Sequence, residues 1–269
     1  MCSFLVDAYK EGKWNIFDTI QNNIFFQASK TPDDYKYSFP DQHFNEVLWK
    51  MNHSKNKGQL HGLHFFTSVN TLSSKGVILC FHGNAGNVSQ WGFLSQVFTE
   101  RGYDILIIDY RTFGKSKGEL TEAILHSDAL VAYKYLAKRY KSSHIYIHGI
   151  SIGTGVAIKL ASTVKCRALI LQTPFLNLRD VGKAHVKLPD FLCRLFKFQL
   201  ESDTYIQKVT CPIYAIHSQD DTLVPYSSAV KLFSHVSHRP DCILWTIDKV
   251  GHSIELSPFY PIFLDTIYH

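Results

Sequence analysis

Along most of the chain, short apolar runs alternate with segments whose apolar residues recur every three or four positions. "GVILCFH" (76–82) is almost continuously apolar, as a strand covered on both faces must be. A helix is predicted next, with Val88, Trp91, Leu94 and Phe98 on one side and Gly102 just past its end. "DILIID" (104–109) reads as a second buried strand, and residues 121–140 as a helix with Leu130, Tyr133, Ala137 and Tyr140 on one face. "HIYIHG" (144–149) is a third strand, running into a helix that carries Ile152, Val156 and Leu160. "RALILQT" (167–173), "PIYAIH" (212–217) and "CILWTI" (242–247) are further strands. Pro225 opens a helix holding Ala229, Leu232, Phe233 and Val236, and a last helix is predicted after residue 253. Strands and helices alternating in this way predict an α/β fold, with a mostly parallel central sheet and helices on both faces.

The region before residue 75 departs from that alternation. "HFNEVLWKM" and "QLHGLHFF", joined by the polar turn "NHSKNKG", predict an N-terminal antiparallel hairpin leading into the sheet. Residues 1–30 read as a weakly patterned helix. With no repeat, low-complexity tract or Pro/Gly-rich linker, residues 1–269 are read as a single domain, with 1–34 as an N-terminal flanking segment.

Composition narrows the classes. Hydrophobic residues at 45% and charged residues at 19% exclude a disordered or membrane-embedded chain. The net charge of +5 is scattered, and its densest run, Lys138, Arg139 and Lys141, falls at a helix end. No aromatic-interleaved basic stripe accompanies it, so no nucleic-acid partner is expected. Six cysteines show neither Cys-x-x-Cys nor zinc spacing, and Cys80, Cys166, Cys211 and Cys242 sit in or beside apolar runs. No metal or cofactor is expected, and the setting is read as reducing and cytoplasmic. No stretch has the length of a transmembrane helix, and "MCSFLVDAYK" lacks the features of a signal peptide. Cys2 is read as an incidental thiol rather than an acylation site.

The candidate chemistry begins at Gly149-Ile150-Ser151-Ile152-Gly153, a G-x-S-x-G string. Such a string is weak evidence alone, but here it lies between a predicted strand and a predicted helix. A sharp turn exposing a serine hydroxyl needs small neighbours, which Gly149, Gly153 and Gly155 supply. Serine becomes nucleophilic at neutral pH when a histidine takes its proton and a carboxylate orients that histidine. Of fourteen histidines, His252 in "DKVGHSIE" directly follows the last strand. Loops at the carboxyl ends of parallel strands converge on one crevice, so Ser151 and His252 should share an edge. The loop "HSQDDTLVP" offers Asp220 and Asp221, with Asp221 preferred and Asp109 as a competitor. For the oxyanion, the Ile152 N–H is one expected donor, and the Asn84 N–H in "GNAGN" is the other, with Ala85 in reserve.

Taken together, these residues resemble the α/β-hydrolase superfamily, in the branch carrying "HGNAGN", "DYRGFGKS", G-x-S-x-G, "G-x-x-D-x-x-V-P" and a late "GH". Here they stand as His82–Asn87, Asp109–Ser116 with Thr112 in the glycine's place, Gly149–Gly153, Ser218–Pro225 with serine first, and Gly251–His252. The match spans about residues 45–269. It implies an α/β-hydrolase fold with a minimal cap and a Ser151–Asp221–His252 triad, because the D-x-x-V-P register excludes Asp220. It also implies a serine esterase or thioesterase acting on a small-molecule or lipid-acyl ester or an acylated protein, with membrane association at most peripheral. In the place of the cap, 176–208 is read as a small lid segment. Within it, Phe191, Leu192, Leu195 and Phe196 would share a helical face that is either core or a cover over an acyl pocket. A catalytically silent binding protein and a peptidase stand as alternatives.

Overall fold

The computed structural model describes residues 25–51, 57–67, 74–186, 193–194 and 196–268. Eight strands of five to nine residues build the main sheet: β1 (His43–Met51), β2 (Gly58–Phe66), β3 (Val77–Phe81), β4 (Asp104–Asp109), β5 (Ile145–Ile150), β6 (Ala168–Gln172), β7 (Ile213–Ser218) and β8 (Cys242–Ile247). Their order is β8-β7-β6-β5-β3-β4-β2-β1, and Lys117–Gly118 adds a short pairing to β2. The strands β3 to β8 pair in parallel, whereas β1 and β2 form the expected antiparallel hairpin, with His43 opposite Phe66 and Met51 opposite Gly58. Strand order reverses around β3, whose neighbours are β4 and β5, which makes the ends of β3 and β5 the switch point of the sheet.

Strand alternation divides the core into two layers. Val77, Leu79 and Phe81 point into one layer with Leu106 and Ile108, covered by helices α3 (Glu122–Ala137) and α4 (Ile152–Ala161). Ile78 and Cys80 point into the other with Ile105 and Ile107, covered by α1 (Val88–Trp91), α2 (Leu94–Thr99) and α8 (Phe259–Asp265). Both faces are therefore buried, which is why these strands read as unbroken apolar runs. Cys80 has no solvent access, and burial pushes its thiol up to about 12. It behaves as a small hydrophobe.

Among the described residues the remaining helices are α5 (Leu178–Val186), α6 (Ser202–Ile206) and α7 (Tyr226–Ser234), the last starting directly after Pro225. The single helix expected from Val88 to Phe98 is two short ones. At the join, Ser95 N–H bonds to Gly92 O at 3.0 Å and the Ser95 hydroxyl to the same oxygen at 2.6 Å, closing a tighter turn. The helix expected over residues 1–30 is largely outside the described residues. Gln27–Ala28 is extended and pairs in parallel with Ala85–Gly86. Of the expected lid face, Phe191, Leu192 and Leu195 lie outside the described residues. Phe196 is buried against Phe25, ring centroids 5.5 Å apart. Among the described residues no helix is long and apolar enough to cross a membrane.

The loop after β4 is held by Arg111, whose fully buried guanidinium forms a bidentate pair with Asp128 on α3 at 2.7 and 2.9 Å. In that loop Thr112 stands at φ +77°, a region that a β-branched residue enters only under strain. Thr112→Gly removes the steric cost but adds unfolded-state entropy, so the net effect expected is a gain of about 0.5–1 kcal/mol in unfolding free energy. Urea denaturation of the two proteins measures it, and equal midpoints would show that the loop carries no such strain.

Candidate active site

The carboxyl edge of the sheet gathers the predicted residues. Ser151 sits between the last residue of β5 and the first of α4, at φ 52°, ψ −118°. Close packing forces this turn. A Cβ on Gly149 would lie 2.5 Å from Gly153 O, and one on Gly153 would lie 2.1 Å from Phe81 O. With helix and strands so close, the chain must reverse within one residue, and the Ser151 side chain is left at the sheet edge. Its N–H bonds to Gln172 O at 2.8 Å, while Thr154 Oγ1 donates to Ser151 O at 2.6 Å.

His252 lies in the loop after β8, with its Nε2 3.0 Å from Ser151 Oγ and its Nδ1 2.7 Å from Asp221 Oδ2. Asp221 lies in the loop after β7. Its Oδ1 accepts the backbone N–H groups of Leu223 and Val224 at 2.8 and 2.9 Å. His217, at the end of β7, places Nε2 3.3 Å from Asp221 Oδ2. Burial alone would raise the Asp221 carboxyl. The close His217 imidazole, the hydrogen bond and charge of His252 and the Val224 N–H outweigh it and hold the group well below the usual carboxylate range.

The two competing aspartates are engaged elsewhere. Asp220 accepts the Ser218 hydroxyl and the N–H groups of Val250 and Gly251, both at 3.2 Å, so it fixes the backbone just ahead of His252. Asp109 is fully buried. It accepts Val88 N–H at 2.8 Å and lies 3.3 Å from His61 Nδ1 and 3.6 Å from His82 Nε2. Burial would raise its carboxyl, but the hydrogen bond with His61 and the His82 imidazole close by hold it below its ordinary range.

Of the expected oxyanion donors, Ile152 begins α4, where the first N–H groups have no intrahelical partner. Asn84 follows Gly83, whose carbonyl lies 2.8 Å from His82 Nδ1. In a trans peptide the next N–H points the opposite way, so the Asn84 N–H faces away from the His82 ring. The Asn84 carbonyl accepts Gln27 N–H at 2.8 Å, which ties the loop to the N-terminal segment.

Asn84, Ser151, Ile152 and His252 open into a cavity of ≈ 440 Å³ whose other walls include Phe25, Phe175, Leu178, Val181, Leu223 and Val224. Gln27 adds a polar side chain to walls that are otherwise mainly apolar away from Ser151. Gln172 and Glu255 are neighbours that the sequence reading did not single out. The Gln172 amide donates to the Glu255 carboxylate, joining the end of β6 to the segment after His252. His148, beside the elbow, is buried with its ring against Phe98, and burial drives its pKa down to about 3. It stays neutral within the core.

This fold, with a serine at a strand-to-helix turn facing a histidine and an aspartate at neighbouring strand ends, defines a class. The fold is that of the α/β-hydrolase superfamily. Within it, the family model described as serine aminopeptidase, S33, matches residues 73–198. A protein described as lysophosphatidylserine lipase ABHD12 from Danio rerio is 33% identical over 208 residues, covering 70% of this chain and 52% of that protein. Its counterpart from Macaca fascicularis is 32% identical over 185 residues, covering 60% and 46%. The chain thus spans about half the length of these curated relatives. Among solved structures, the esterase Pf2001 of Pyrococcus furiosus superposes with a TM-score of 0.68 at 21% identity, covering 91% of this chain and 97% of that one.

The depressed Asp221 carboxyl links stability to pH. The unfolded chain binds a proton at about pH 3.9 that the folded chain still refuses, so stability rises with pH through that window. The contribution is full above the unfolded value and is lost progressively as pH falls from there through the lower folded value. In Asp221→Asn that titration is absent. Urea unfolding at pH 7, 4 and 3 should show the wild type losing stability more steeply than the variant, and parallel profiles would exclude the linkage.

Proposed function

We propose that the protein is a serine hydrolase that cleaves carboxylic esters with an apolar acyl group, and that it works through an acyl-enzyme. The relay from Ser151 Oγ to His252 Nε2 at 3.0 Å and from His252 Nδ1 to Asp221 Oδ2 at 2.7 Å carries this reading. Ser151 attacks the ester carbonyl as His252 takes its proton. The negative charge that grows on the carbonyl oxygen is held by the Ile152 and Asn84 N–H groups, each donor contributing about 3 kcal/mol. His252 then delivers the proton to the departing alcohol oxygen. Water, activated by the same imidazole, releases the acid and restores Ser151. Throughout, Asp221 fixes the His252 tautomer and stabilises the imidazolium.

The acyl group occupies the ≈ 440 Å³ cavity, whose lining among the described residues includes no Lys, Arg, Asp or Glu to recognise a polar acid. Helix α5 contributes Leu178 and Val181 to that wall and serves as the small lid. Esters are favoured over N-terminal peptides because the cavity lining among the described residues contains no carboxylate to hold a free α-amine. A lipid-acyl substrate accords with the description of the relatives as lysophosphatidylserine lipases. Thioesters of similar acyl groups present the same carbonyl and belong to the same substrate class.

Intact-mass analysis after a fluorophosphonate should show a single adduct on the wild type and none on Ser151→Ala. Hydrolysis of p-nitrophenyl butanoate should fall about 10⁴-fold or more in Ser151→Ala and about 10⁴-fold in Asp221→Asn. An adduct persisting on Ser151→Ala would remove the nucleophile assignment. Absence of both labelling and hydrolysis in the wild type would point instead to a binding protein.

A further inference from the structure

A second depression adjoins the cavity. A shallow groove of ≈ 290 Å³ lies between the loop after β3 and the segment after His252, lined by Gly86, Gln90, Trp91, Phe93, Glu255 and Leu256. Ala85 lines both the groove and the acyl cavity, so the two adjoin at that residue.

One wall of the groove is rigid. The Trp91 indole N–H bonds to Ala85 O at 2.8 Å, and a Cβ on Gly83 would lie 3.0 Å from the indole ring. The same indole stacks on His82 at 6.0 Å and on Phe93 at 6.4 Å, interplanar angles 17° and 23°. The lips are apolar and wet, with Leu256 76% exposed and Phe93 46% exposed. Large apolar side chains held in water around a preformed aromatic wall gain from covering. The charged side chain in the lining is the Glu255 carboxylate, and no Lys, Arg or His lines the groove among the described residues.

Reaction geometry says what covers it. With the acyl chain in the apolar cavity and the carbonyl oxygen toward Ile152 and Asn84, the remaining substituent of the carbonyl is the leaving group. Its oxygen must approach His252 Nε2, which protonates it, so the rest of the alcohol leads away along the His252 side. We infer that this groove is the leaving-group subsite and that it selects an uncharged alcohol bearing a ring-sized apolar portion over an anionic headgroup. The inference rests on the serine-hydrolase reading. It adds a preference that the relatives' description does not contain, because a phosphorylated alcohol seated here would lie beside Glu255 with no cation in the lining to offset it.

The test compares ethyl butanoate with 2-naphthylmethyl butanoate, which share an acyl group and an alkyl-type leaving oxygen and differ in what can fill the groove. Wild type, Leu256→Ser and Phe93→Ser are assayed; both side chains are partly or largely exposed, and ethyl ester turnover serves as the internal control for folding. The ratio of kcat/KM for the naphthylmethyl ester to that for the ethyl ester should fall about 10-fold in each variant. The wild type should also prefer a neutral monoacylglycerol to an anionic lysophospholipid of the same chain length, both below their micelle concentrations. An unchanged ratio in both variants, or preference for the anionic lipid, overturns the subsite while fluorophosphonate labelling of Ser151 continues. Loss of labelling and of ethyl ester turnover in the wild type overturns the hydrolase reading and this inference together.

Discussion

Helix α4 approaches the ends of β3 and β5 so closely that Gly149 and Gly153 leave no room for a methyl group. This contact forces the Ser151 backbone to φ 52° and projects the side chain beyond the sheet edge. It also sets the first turn of α4, with its leading N–H groups and positive dipole end, directly beside Ser151. The cavity, the groove and the histidine loop are all arranged around a point fixed by one close helix–strand packing. The strain is carried by the many buried contacts of α4, whose Ile152, Val156, Ala157, Ile158 and Leu160 lie in the core.

Around that point, aspartates at strand ends hold the loops. Asp221 orients His252, and Asp220 fixes the backbone immediately before it through Val250 and Gly251. Asp109 performs the corresponding service for the loop after β3. It accepts the N–H of Val88 at the loop's far end and faces His82 at its near end, while His82 Nδ1 lies against Gly83 O. The orientation of the Gly83–Asn84 peptide therefore depends on a buried charge at the end of β4, across β3 from the strand that leads into Ser151. Loops carry few apolar contacts of their own, and charge-assisted bonds to backbone N–H groups are the means by which they become rigid.

The elements legible in the chain were those whose burial leaves a local pattern. Strands β3 to β7 are covered on both faces and so read as apolar runs, and α3 and α4 read from their periodicity. Ser151, His252 and Asp221 were legible as positions because each lies just after a strand, and the structure brings them within hydrogen-bond distance. Contacts made by polar side chains over long separations left no such trace. Gln172 meets Glu255 across 83 residues, and Gln27 pairs with the loop at Asn84. His217 reads as an ordinary strand residue until β7 and the turn after it place its ring beside Asp221. The spacing of four between His217 and Asp221 was visible, but strand periodicity assigns it no meaning without the turn.

The two positions where this chain departs from the glycines of the branch it resembles have opposite physical consequences. At 218 the backbone accepts a side chain, and the serine hydroxyl is used: it donates to Asp220, the group that holds the histidine loop. At 112 the backbone keeps the conformation that glycine favours, and threonine is held at φ +77° between the buried Arg111 and Phe113. A strained threonine persists here because its neighbours over-determine the loop, Arg111 through Asp128 and Phe113 through the aromatic packing with Phe26 and His82. The same loop carries Ser116, whose hydroxyl donates to Asp109 O and accepts His61 N–H. Strain at Thr112 is thus absorbed by the network that fixes Asp109, and the site side of that network keeps its geometry.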